Sequence, residues 1–465
     1  MTKDTGKQSL EFRKKNFDTV WGEHDQDGDH NVGVRTLVFY PDVRVRNNSS
    51  HSLRTAQRTA QNKLDEAVSL CAALELDIIH AEIINLSKIR SSTYLGKGKL
   101  EEMAALVEGA DIELVVADCE LSPGQQRNLE RELKVKVIDR TGLILEIFGE
   151  RAQTKEGVMQ VELAHLSYQK SRLVRSWTHL ERQRGGFGFL GGPGESQIES
   201  DRRQIDERIA KIKKQLSTVS RTRDLHRNSR RRVPFPIVAL VGYTNAGKST
   251  LFNYLTHGHV MVADLLFATL DPTMRTVEMP NGKKAIFSDT VGFISELPTH
   301  LIAAFRATLE EVIEADIILH IRDISHPETE AQKEDVLEVL KSLGIKEEDN
   351  EKIFEVWNKI DLIDEDGREI LVNMAQRKDN VAMVSAISGA GCDDLLAKLD
   401  VVFAKDKKEF ELTFSHAEGA DLALFYKYGE ILSRQDSEKN TKITVLLSNE
   451  AIGRLTNMGK LKEFI

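Results

Sequence analysis

Residues 32–150 alternate between two spacings of apolar side chains. Short runs rich in β-branched residues predict strands, and apolar residues three or four positions apart predict helices. The predicted strands are Thr36–Tyr40, Ile78–Leu86, Ile112–Val116 and Val135–Ile138. The predicted helices cover Leu64–Leu74, Leu100–Val107 and Pro123–Leu133. Because strands alternate with helices, we expect a small parallel α/β domain over this range.

Two long helical patterns follow and predict a helical hairpin over residues 151–220. Their apolar positions are Leu163, Leu166, Leu173, Trp177 and Leu180 in one helix and Ile198, Ile205, Ile209, Ile212 and Leu216 in the other. The glycine-rich stretch 184–194 between them is expected to be a non-helical tip. Phe187, Phe189 and Leu190 on that tip either form an interaction surface or fold back on the domain.

A run of apolar residues, Val238–Val241, then leads into the pattern G-x-x-x-x-G-K-S, and helical spacing resumes after it. This order of strand, loop and helix is typical of a phosphate-binding P-loop. Lys248 is predicted to contact the β- and γ-phosphates, and Ser249 is predicted to ligate Mg²⁺. The backbone N–H groups expected to face phosphate oxygens belong to Gly242, Tyr243, Thr244, Asn245, Ala246 and Gly247.

Two later loops are candidates for sensing the γ-phosphate. The first consists of Phe267, Ala268, Thr269, Leu270 and Asp271. The second is a D-x-x-G turn of Asp289, Thr290, Val291 and Gly292. Thr269 would give a hydroxyl to Mg²⁺ and an N–H to the phosphate, Asp289 would hold Mg²⁺ through water, and Gly292 would donate an N–H. Lys248, Thr269 and Gly292 are therefore the predicted catalytic residues.

Two further stretches of sequence predict which nucleotide base is bound. These are Asn358, Lys359, Ile360 and Asp361, and then Ser385, Ala386 and Ile387. A carboxylate at Asp361 can accept both the ring N–H and the amine of guanine, whereas adenine would leave it unpaired. Asn358 is expected at the other guanine edge, Lys359 over the base, and the Ser385 loop at the guanine oxygen. We expect GTP as substrate and switch ligand of a domain spanning 234–405.

Two positions depart from common GTPase patterns. Phe293 stands directly after the D-x-x-G turn, where many GTPases have a glutamine that orients the attacking water. A phenyl ring cannot orient water, so the isolated protein is expected to hydrolyse GTP slowly and to need a partner. Ile387 stands where many GTPases have lysine, so only backbone contact with the base is expected there.

Charge is unevenly distributed along the chain. Residues 151–232 hold 19 Lys and Arg against 9 Asp and Glu, an excess of +10 in a chain of net charge −9. The arginines are densest in 221–233, the expected linker to the next domain. Such a segment favours contact with RNA phosphates, although a solvated spacer has the same composition. The stretch Gly96–Lys99 is a second candidate: a helix-entry turn, a contact with the RNA backbone, or a second nucleotide site.

The two ends of the chain carry no predicted chemistry. Residues 1–31 predict a disordered polar tail, and an EF-hand counted from Asp25 fails because His30 and Thr36 stand where Gly and Glu are needed. Residues 406–465 predict a small α+β domain with strands Leu412–Phe414 and Ile443–Leu447 around a helix Asp421–Ser433. This domain is expected to dock a partner or the GTPase domain.

Cysteine use and hydropathy indicate the compartment. The three cysteines are far apart and lack metal-ligand spacing, which favours a reducing environment. An apolar leader or a membrane-spanning run is not recognisable in the sequence. We expect a cytoplasmic monomer, and any association with a membrane would be peripheral.

Five longer strings in the chain are more specific than the nucleotide motifs. They are Y-L-G-K-G-K from Tyr94, R-G-G-F-G-F-L-G-G-P-G-E from Arg184, F-A-T-L-D-P-T from Phe267, D-T-V-G-F-I from Asp289 and A-D-L-A-L-F-Y-K-Y-G-E from Ala420. With these strings, the chain from Gly33 to about Ile465 resembles the HflX family of translation-factor-type GTPases. Phe293 also fits this family's pattern. The resemblance implies a GTPase that binds the large ribosomal subunit and separates stalled or stress-arrested ribosomes, with its N-terminal domain and hairpin against ribosomal RNA.

Two other functions remain open on the sequence. A ribosome-assembly factor could use GTP as a docking check on the large subunit without splitting ribosomes. An ATP-consuming RNA remodeller could use Gly96–Lys99 as its second site. The expected fold is the same in each case: an α/β P-loop GTPase domain, preceded by a small parallel α/β domain with a long hairpin and followed by a small α+β domain.

Overall fold

A computed structural model describes residues 33–43, 58–183, 193–230, 235–258, 266–267, 269–270, 272–296, 306–345, 352–405, 407–437 and 439–461. The predicted tail 1–31, the tip residues 184–192 with Phe187, Phe189 and Leu190, and the loop residues Ala268 and Asp271 lie outside these ranges.

The N-terminal domain is built on a parallel sheet, as the alternating pattern predicts. Its strands are β1 (Arg35–Val43), β2 (Asp77–Leu86), β3 (Leu114–Ala117) and β4 (Lys136–Asp139), in the order β2-β1-β3-β4. Its helices are α1 (Ala60–Ala72), α2 (Lys97–Gly109), α3 (Pro123–Leu133) and α4 (Arg140–Arg151). Both faces of this sheet pack against buried apolar side chains, which explains the near-continuous apolar strands.

Helix α4 is missing from the sequence prediction. Asp139 caps its first turn by accepting a hydrogen bond from the Gly142 N–H at 2.9 Å. The helix is buried on nearly every side from Arg140 to Phe148. Its apolar residues therefore form a continuous run rather than a stripe, and such a run does not distinguish helix from strand.

The hairpin consists of α5 (Lys155–Gln183) and α6 (Pro193–Arg230). Lys170 contacts Asp206 and Arg208 contacts Glu162 across the two helices. Helix α6 differs from the prediction at both ends. Pro193 and Gly194 belong to its first turn, where proline is tolerated, and the expected linker from 221 is helical as far as Arg230 because it contains neither Gly nor Pro.

The central domain has a larger sheet in the order β10-β9-β8-β5-β7-β6, parallel except for β6. Its strands are β5 (Ile237–Gly242), β6 (Thr273–Glu278), β7 (Lys284–Asp289), β8 (Ile317–Asp323), β9 (Ile353–Asn358) and β10 (Val381–Met383). Its helices are α7 (Lys248–Thr256), α8 (Arg306–Ile313), α9 (Thr329–Ser342), α10 (Glu365–Ala375) and α11 (Cys392–Lys405). Chain order reverses beside β5, and ligands of open α/β sheets bind at such a point.

The C-terminal domain is an antiparallel sheet with two helices. Strands β11 (Lys407–Ser415), β12 (Gly429–Asp436) and β13 (Asn440–Ser448) lie in the order β11-β13-β12, beside α12 (Gly419–Tyr428) and α13 (Asn449–Asn457). The helix expected over Asp421–Ser433 is wrong in its second half, which forms β12. Gly429 lies against Val445 and Leu447, where a Cβ atom would come within 2.4 Å and 2.6 Å of their side chains.

Candidate nucleotide-binding site

The loop between β5 and α7 has the backbone geometry that phosphate binding needs. Gly247 has φ +90°, and a Cβ atom there would lie 2.2 Å from the Asn358 Nδ2 atom. Asn245 also has a positive φ, 59°. These conformations bend the chain tightly before α7, as a loop that wraps a phosphate in front of a helix N-terminus requires.

Lys248 lies inside this loop with 6% of its surface exposed. Its Nζ atom donates to the Tyr243 carbonyl oxygen at 2.8 Å. Burial lowers the pKa of Lys248 from 10.5 to about 8, against the opposing effect of the Asp289 carboxylate. A cation held in this way is strongly attracted by phosphate.

Three oxygen-bearing side chains meet beside Lys248, from the first turn of α7, the loop before β6 and the end of β7. The Ser249 Oγ atom donates to the Asp289 Oδ2 atom at 2.7 Å and lies 2.8 Å from the Thr269 Oγ1 atom. Thr269 also donates to Asp289 at 3.1 Å. Burial raises the pKa of Asp289, while the two hydroxyl hydrogen bonds and Lys248 oppose that rise. Two hydroxyls and a carboxylate are hard oxygen donors, so this set fits Mg²⁺.

The D-x-x-G turn is packed tightly against the P-loop. A Cβ atom at Gly292 would lie 3.0 Å from the Lys248 Nζ atom and 2.8 Å from the Thr244 Cγ2 atom. The backbone of Phe293 pairs with the P-loop, since its N–H donates to the Gly242 oxygen at 3.1 Å and its oxygen accepts from Thr244 at 2.7 Å. The Phe293 side chain is 1% exposed and faces the core, away from any position in which it could touch water.

Asn358 connects the loops around the expected base site. Its Nδ2 atom donates to the Ala246 oxygen at 2.8 Å, and its Oδ1 atom accepts from the Ala386 N–H at 3.0 Å. Sequence reasoning assigned Asn358 to the base alone and did not foresee this bridge. The bridge holds the P-loop and the Ser385 loop at a fixed separation.

The remaining base-site residues lie around the same opening. Lys359 has a positive φ of 64° and forms an ion pair with Asp323 at 2.8 Å. Asp361 is exposed on the short 3-10 helix Ile360–Leu362, and Ile387 is 79% exposed. Ser385 and Ala386 are buried. The Asp361 carboxylate is thus open to solvent and accessible to a base.

The loop before β6 contacts the N-terminal domain. Phe267 and Leu270 are both 2% exposed, and the Phe267 ring packs edge to face on Phe148 of α4 with ring centres 4.7 Å apart. Sequence reasoning placed this loop at the phosphate but not against a second domain. Thr290, from the other loop, is buried and donates to the Leu240 oxygen at 2.6 Å.

The turn Gly96–Lys99 opens helix α2, with Gly96 at the N-cap position. The Lys99 Nζ atom pairs with Glu82 at 2.6 Å and with Glu102 at 3.3 Å, and Lys97 pairs with Glu101 at 3.6 Å. Both lysines therefore have carboxylate partners within the domain. The helix-entry turn is observed, and contact with RNA or a second nucleotide stays a prediction.

A P-loop at the end of β5, three oxygen-bearing side chains beside its lysine and an exposed carboxylate beside the Ser385 loop are the parts of a P-loop GTPase. Family models match the chain in three consecutive parts. Residues 61–149 match the model described as GTP-binding GTPase N-terminal, residues 151–230 the GTP-binding GTPase middle region, and residues 237–359 the 50S ribosome-binding GTPase.

Curated relatives extend these matches over most of the chain. GTPase HflX of Magnetococcus marinus is 49% identical over 86% of this chain and 92% of its own length. GTPase HflX of Escherichia coli is 44% identical over 72% of this chain and 77% of its own. The chain therefore belongs to the HflX family of GTPases, and it hydrolyses GTP. A GTP-binding protein from Sulfolobus solfataricus, solved with GDP, is 23% identical over 80% of this chain and 99% of that chain, at a TM-score of 0.42.

Proposed function

We propose that this protein is a Mg²⁺-dependent GTPase that binds the large ribosomal subunit and separates stalled or stress-arrested ribosomes. The observation that carries the nucleotide part is the meeting of Ser249, Thr269 and Asp289 beside Lys248. The ribosomal part is supported by the match of residues 237–359 to the model described as a 50S ribosome-binding GTPase.

The residues of the site divide the chemistry among them. Bound Mg²⁺ would neutralise charge on the phosphate oxygens. Ser249 and Thr269 would ligate it directly and Asp289 through water. Lys248 would stabilise charge that develops between the β- and γ-phosphates, and the Gly292 N–H would contact the γ-phosphate.

The protein is expected to hydrolyse GTP slowly on its own. Phe293 is buried and aromatic, so it cannot hold the attacking water. A group from another part of the assembly must then supply that function. A ribosomal partner would supply it only when the protein is docked, so hydrolysis would follow docking and release the protein.

Helix α6 gives the proposal a surface for ribosomal RNA. Lys211, Lys213 and Lys214 are exposed on it, within the segment that carries the local excess of positive charge. Electrostatic contact with RNA phosphates weakens steeply with salt, so binding to the large subunit should show a strong salt dependence.

The proposal includes a cytoplasmic location and a monomeric state. None of the described helices is long and apolar enough to cross a membrane. Association with a membrane surface would use the exposed basic residues of the same segment.

The test is GTP turnover by the purified protein, alone, with large subunits and with small subunits, in the presence and absence of Mg²⁺. Strong stimulation by the large subunit alone supports the proposal, and lack of stimulation by either subunit removes the ribosome from it. Splitting of intact ribosomes in the presence of GTP then separates a splitting factor from an assembly factor, which would dock on the large subunit and leave intact ribosomes unchanged.

A further inference from the structure

The Tyr243 hydroxyl joins three segments that are distant in sequence. It donates to the Glu66 carboxylate of α1, accepts from the Arg58 Nη1 atom at 2.9 Å and accepts from the Ser295 N–H at 2.8 Å. Tyr243 itself belongs to the P-loop, and its side chain is buried. One phenol therefore connects the P-loop, the N-terminal domain and the chain that follows the D-x-x-G turn.

Ser295 is fastened to the N-terminal domain by further contacts. Its Oγ atom donates to the Glu66 Oε1 atom at 2.7 Å, and its carbonyl oxygen accepts from the Arg140 Nη2 atom at 3.0 Å. The next residue, Glu296, pairs with Lys63 of α1 at 2.8 Å. The segment leaving Gly292 is thus anchored to the N-terminal domain within a few residues.

The charges in this contact are well shielded from water. The side chains of Glu66, Arg140 and Arg58 are 10%, 7% and 8% exposed. Although burial raises the pKa of Glu66, Arg140 and the hydrogen bonds from Tyr243 and Ser295 outweigh it and lower that pKa overall. A buried charge network of this kind is stable only when all its partners are in place, so small displacements break it.

The D-x-x-G turn has little room to accept a third phosphate where it lies. A Cβ atom at Gly292 would lie 3.0 Å from the Lys248 Nζ atom and 3.0 Å from the Thr244 Cα atom, so this turn lies tight against the P-loop backbone as well as against the lysine. A γ-phosphate must enter between these two residues, since Lys248 and the Gly292 N–H are its predicted partners. Lys248 can turn from the Tyr243 carbonyl toward the phosphate, but the P-loop backbone at Thr244 is fixed, so we infer that Gly292 moves outward and takes the segment toward Ser295 with it.

We propose that Tyr243 and Glu66 are positioning residues that couple the N-terminal domain to the third phosphate of the nucleotide. GDP leaves the contact among Glu66, Tyr243 and Ser295 intact, whereas the γ-phosphate of GTP displaces Gly292 and breaks that contact. The N-terminal domain is thereby released in the GTP state. This inference rests on the proposed nucleotide switch and does not depend on a ribosome. By linkage, a contact that GTP must break lowers the affinity for GTP relative to GDP.

The test compares dissociation constants for GDP and for a non-hydrolysable GTP analogue, both with Mg²⁺. In Tyr243→Phe and in Glu66→Gln, the affinity for the analogue relative to GDP should rise about fivefold to fiftyfold. The double variant should gain no more than the larger single effect, because both substitutions break the same contact. Tyr168→Phe is the matched control: it removes a hydroxyl of hairpin helix α5 that donates to Asp139 of the N-terminal domain at 2.6 Å, a contact that does not involve the GTPase domain, and the ratio should not change.

Two results overturn the proposal. One is an unchanged ratio in both variants, and the other is an equal loss of affinity for both nucleotides, which would indicate damage to the P-loop alone. Amide hydrogen exchange of the unmodified protein is a second, independent test. The amides of α1 should exchange faster with the GTP analogue than with GDP, and equal rates would also overturn the proposal. Since no ribosome is present, failure of ribosome binding leaves these outcomes unaffected.

Discussion

Asp361 is the residue predicted to select the base, because its exposed carboxylate would accept from the two N–H groups of guanine. In Asp361→Asn, the amide offers one donor and one acceptor. The guanine amine, which is a donor, then faces the N–H group of the amide, which is also a donor. Affinity for GDP should fall at least about a hundredfold, because a mismatched polar pair loses its hydrogen bonds. Xanthine carries an oxygen in place of that amine, so xanthosine diphosphate should bind the variant well.

Competition between the two diphosphates measures this change directly. Asp366→Asn is the matched control, since Asp366 is exposed in the first turn of α10, a few residues further on. It should leave the preference for GDP unchanged. If Asp361→Asn still prefers GDP, another group reads the base.

Lys248 predicts a pH dependence of nucleotide affinity. Burial lowers its pKa in the free protein to about 8, whereas a bound phosphate keeps the ammonium charged. Below about pH 8 the free lysine is already protonated, so affinity should be nearly constant. Above that pH, binding must take up a proton, and affinity for GDP should fall by up to about tenfold per pH unit.

Titration of GDP binding from about pH 7 to about pH 9 tests this sign, with Lys248→Met as the reference. The variant should bind weakly at every pH and show a flatter profile. A wild-type affinity that rises with pH would contradict the assignment.

Single residues of the site were predictable from sequence where they are consecutive. The P-loop and the stretch Asn358–Asp361 each follow a strand directly, so spacing alone identifies them. The contacts of Tyr243 with Glu66 and of Asn358 with Ala246 were not predictable, because they join segments that only the folded chain brings together. The sequence offers one signal of such a contact, a charged residue such as Arg140 close to the apolar stretch of α4.

At the scale of elements, Gly429 separates α12 from β12. A methyl group there would lie 2.4 Å and 2.6 Å from the Val445 and Leu447 side chains, so Gly429→Ala should destabilise the C-terminal domain by about 1–3 kcal/mol. Gly453→Ala is the matched control in α13, where a Cβ atom would meet nothing within 4 Å. It should stabilise that helix by about 0.5–1 kcal/mol.

Hydrogen exchange of β12 and β13 as a function of denaturant measures both changes in the intact chain. If both substitutions change the free energy of unfolding equally, the packing around Gly429 is not tight. A decrease in Gly429→Ala and an increase in Gly453→Ala would agree with the geometry.

Elements were predictable where the local pattern is distinctive, either an apolar stripe along a helix or a short run rich in β-branched residues. The amphipathic helix α3 and the β-branched strands β1 and β2 came out close to their observed bounds. Local spacing does not predict α4, because that helix is buried on nearly every side and lacks a polar stripe. It predicts helix for the first residues of β12, because the helical spacing before Gly429 continues beyond it. Both failures arise from tertiary packing, which local spacing does not report.

At the scale of the whole molecule, Arg140 links the N-terminal domain to the GTPase domain. Its two ends pair with Asp118 and Glu66 inside the first domain, and its Nη2 atom also donates to Ser295 of the second. The guanidinium pKa is raised because the two carboxylates outweigh the effect of burial. This side chain therefore contributes to order on both sides of the domain boundary, together with the contacts of Tyr243 and Ser295.

Arg140→Met should loosen both domains at once. It leaves Asp118, 3% exposed in its side chain, and Glu66 without this cation, at a cost of about 3–5 kcal/mol. Hydrogen exchange should quicken in β1 and also in residues 290–296. Arg172→Met is the comparison, since Arg172 of hairpin helix α5 pairs with Asp139 of the N-terminal domain at 2.6 Å. It should quicken exchange in that domain and leave residues 290–296 unchanged; if Arg140→Met does the same, the two domains are not joined through this arginine.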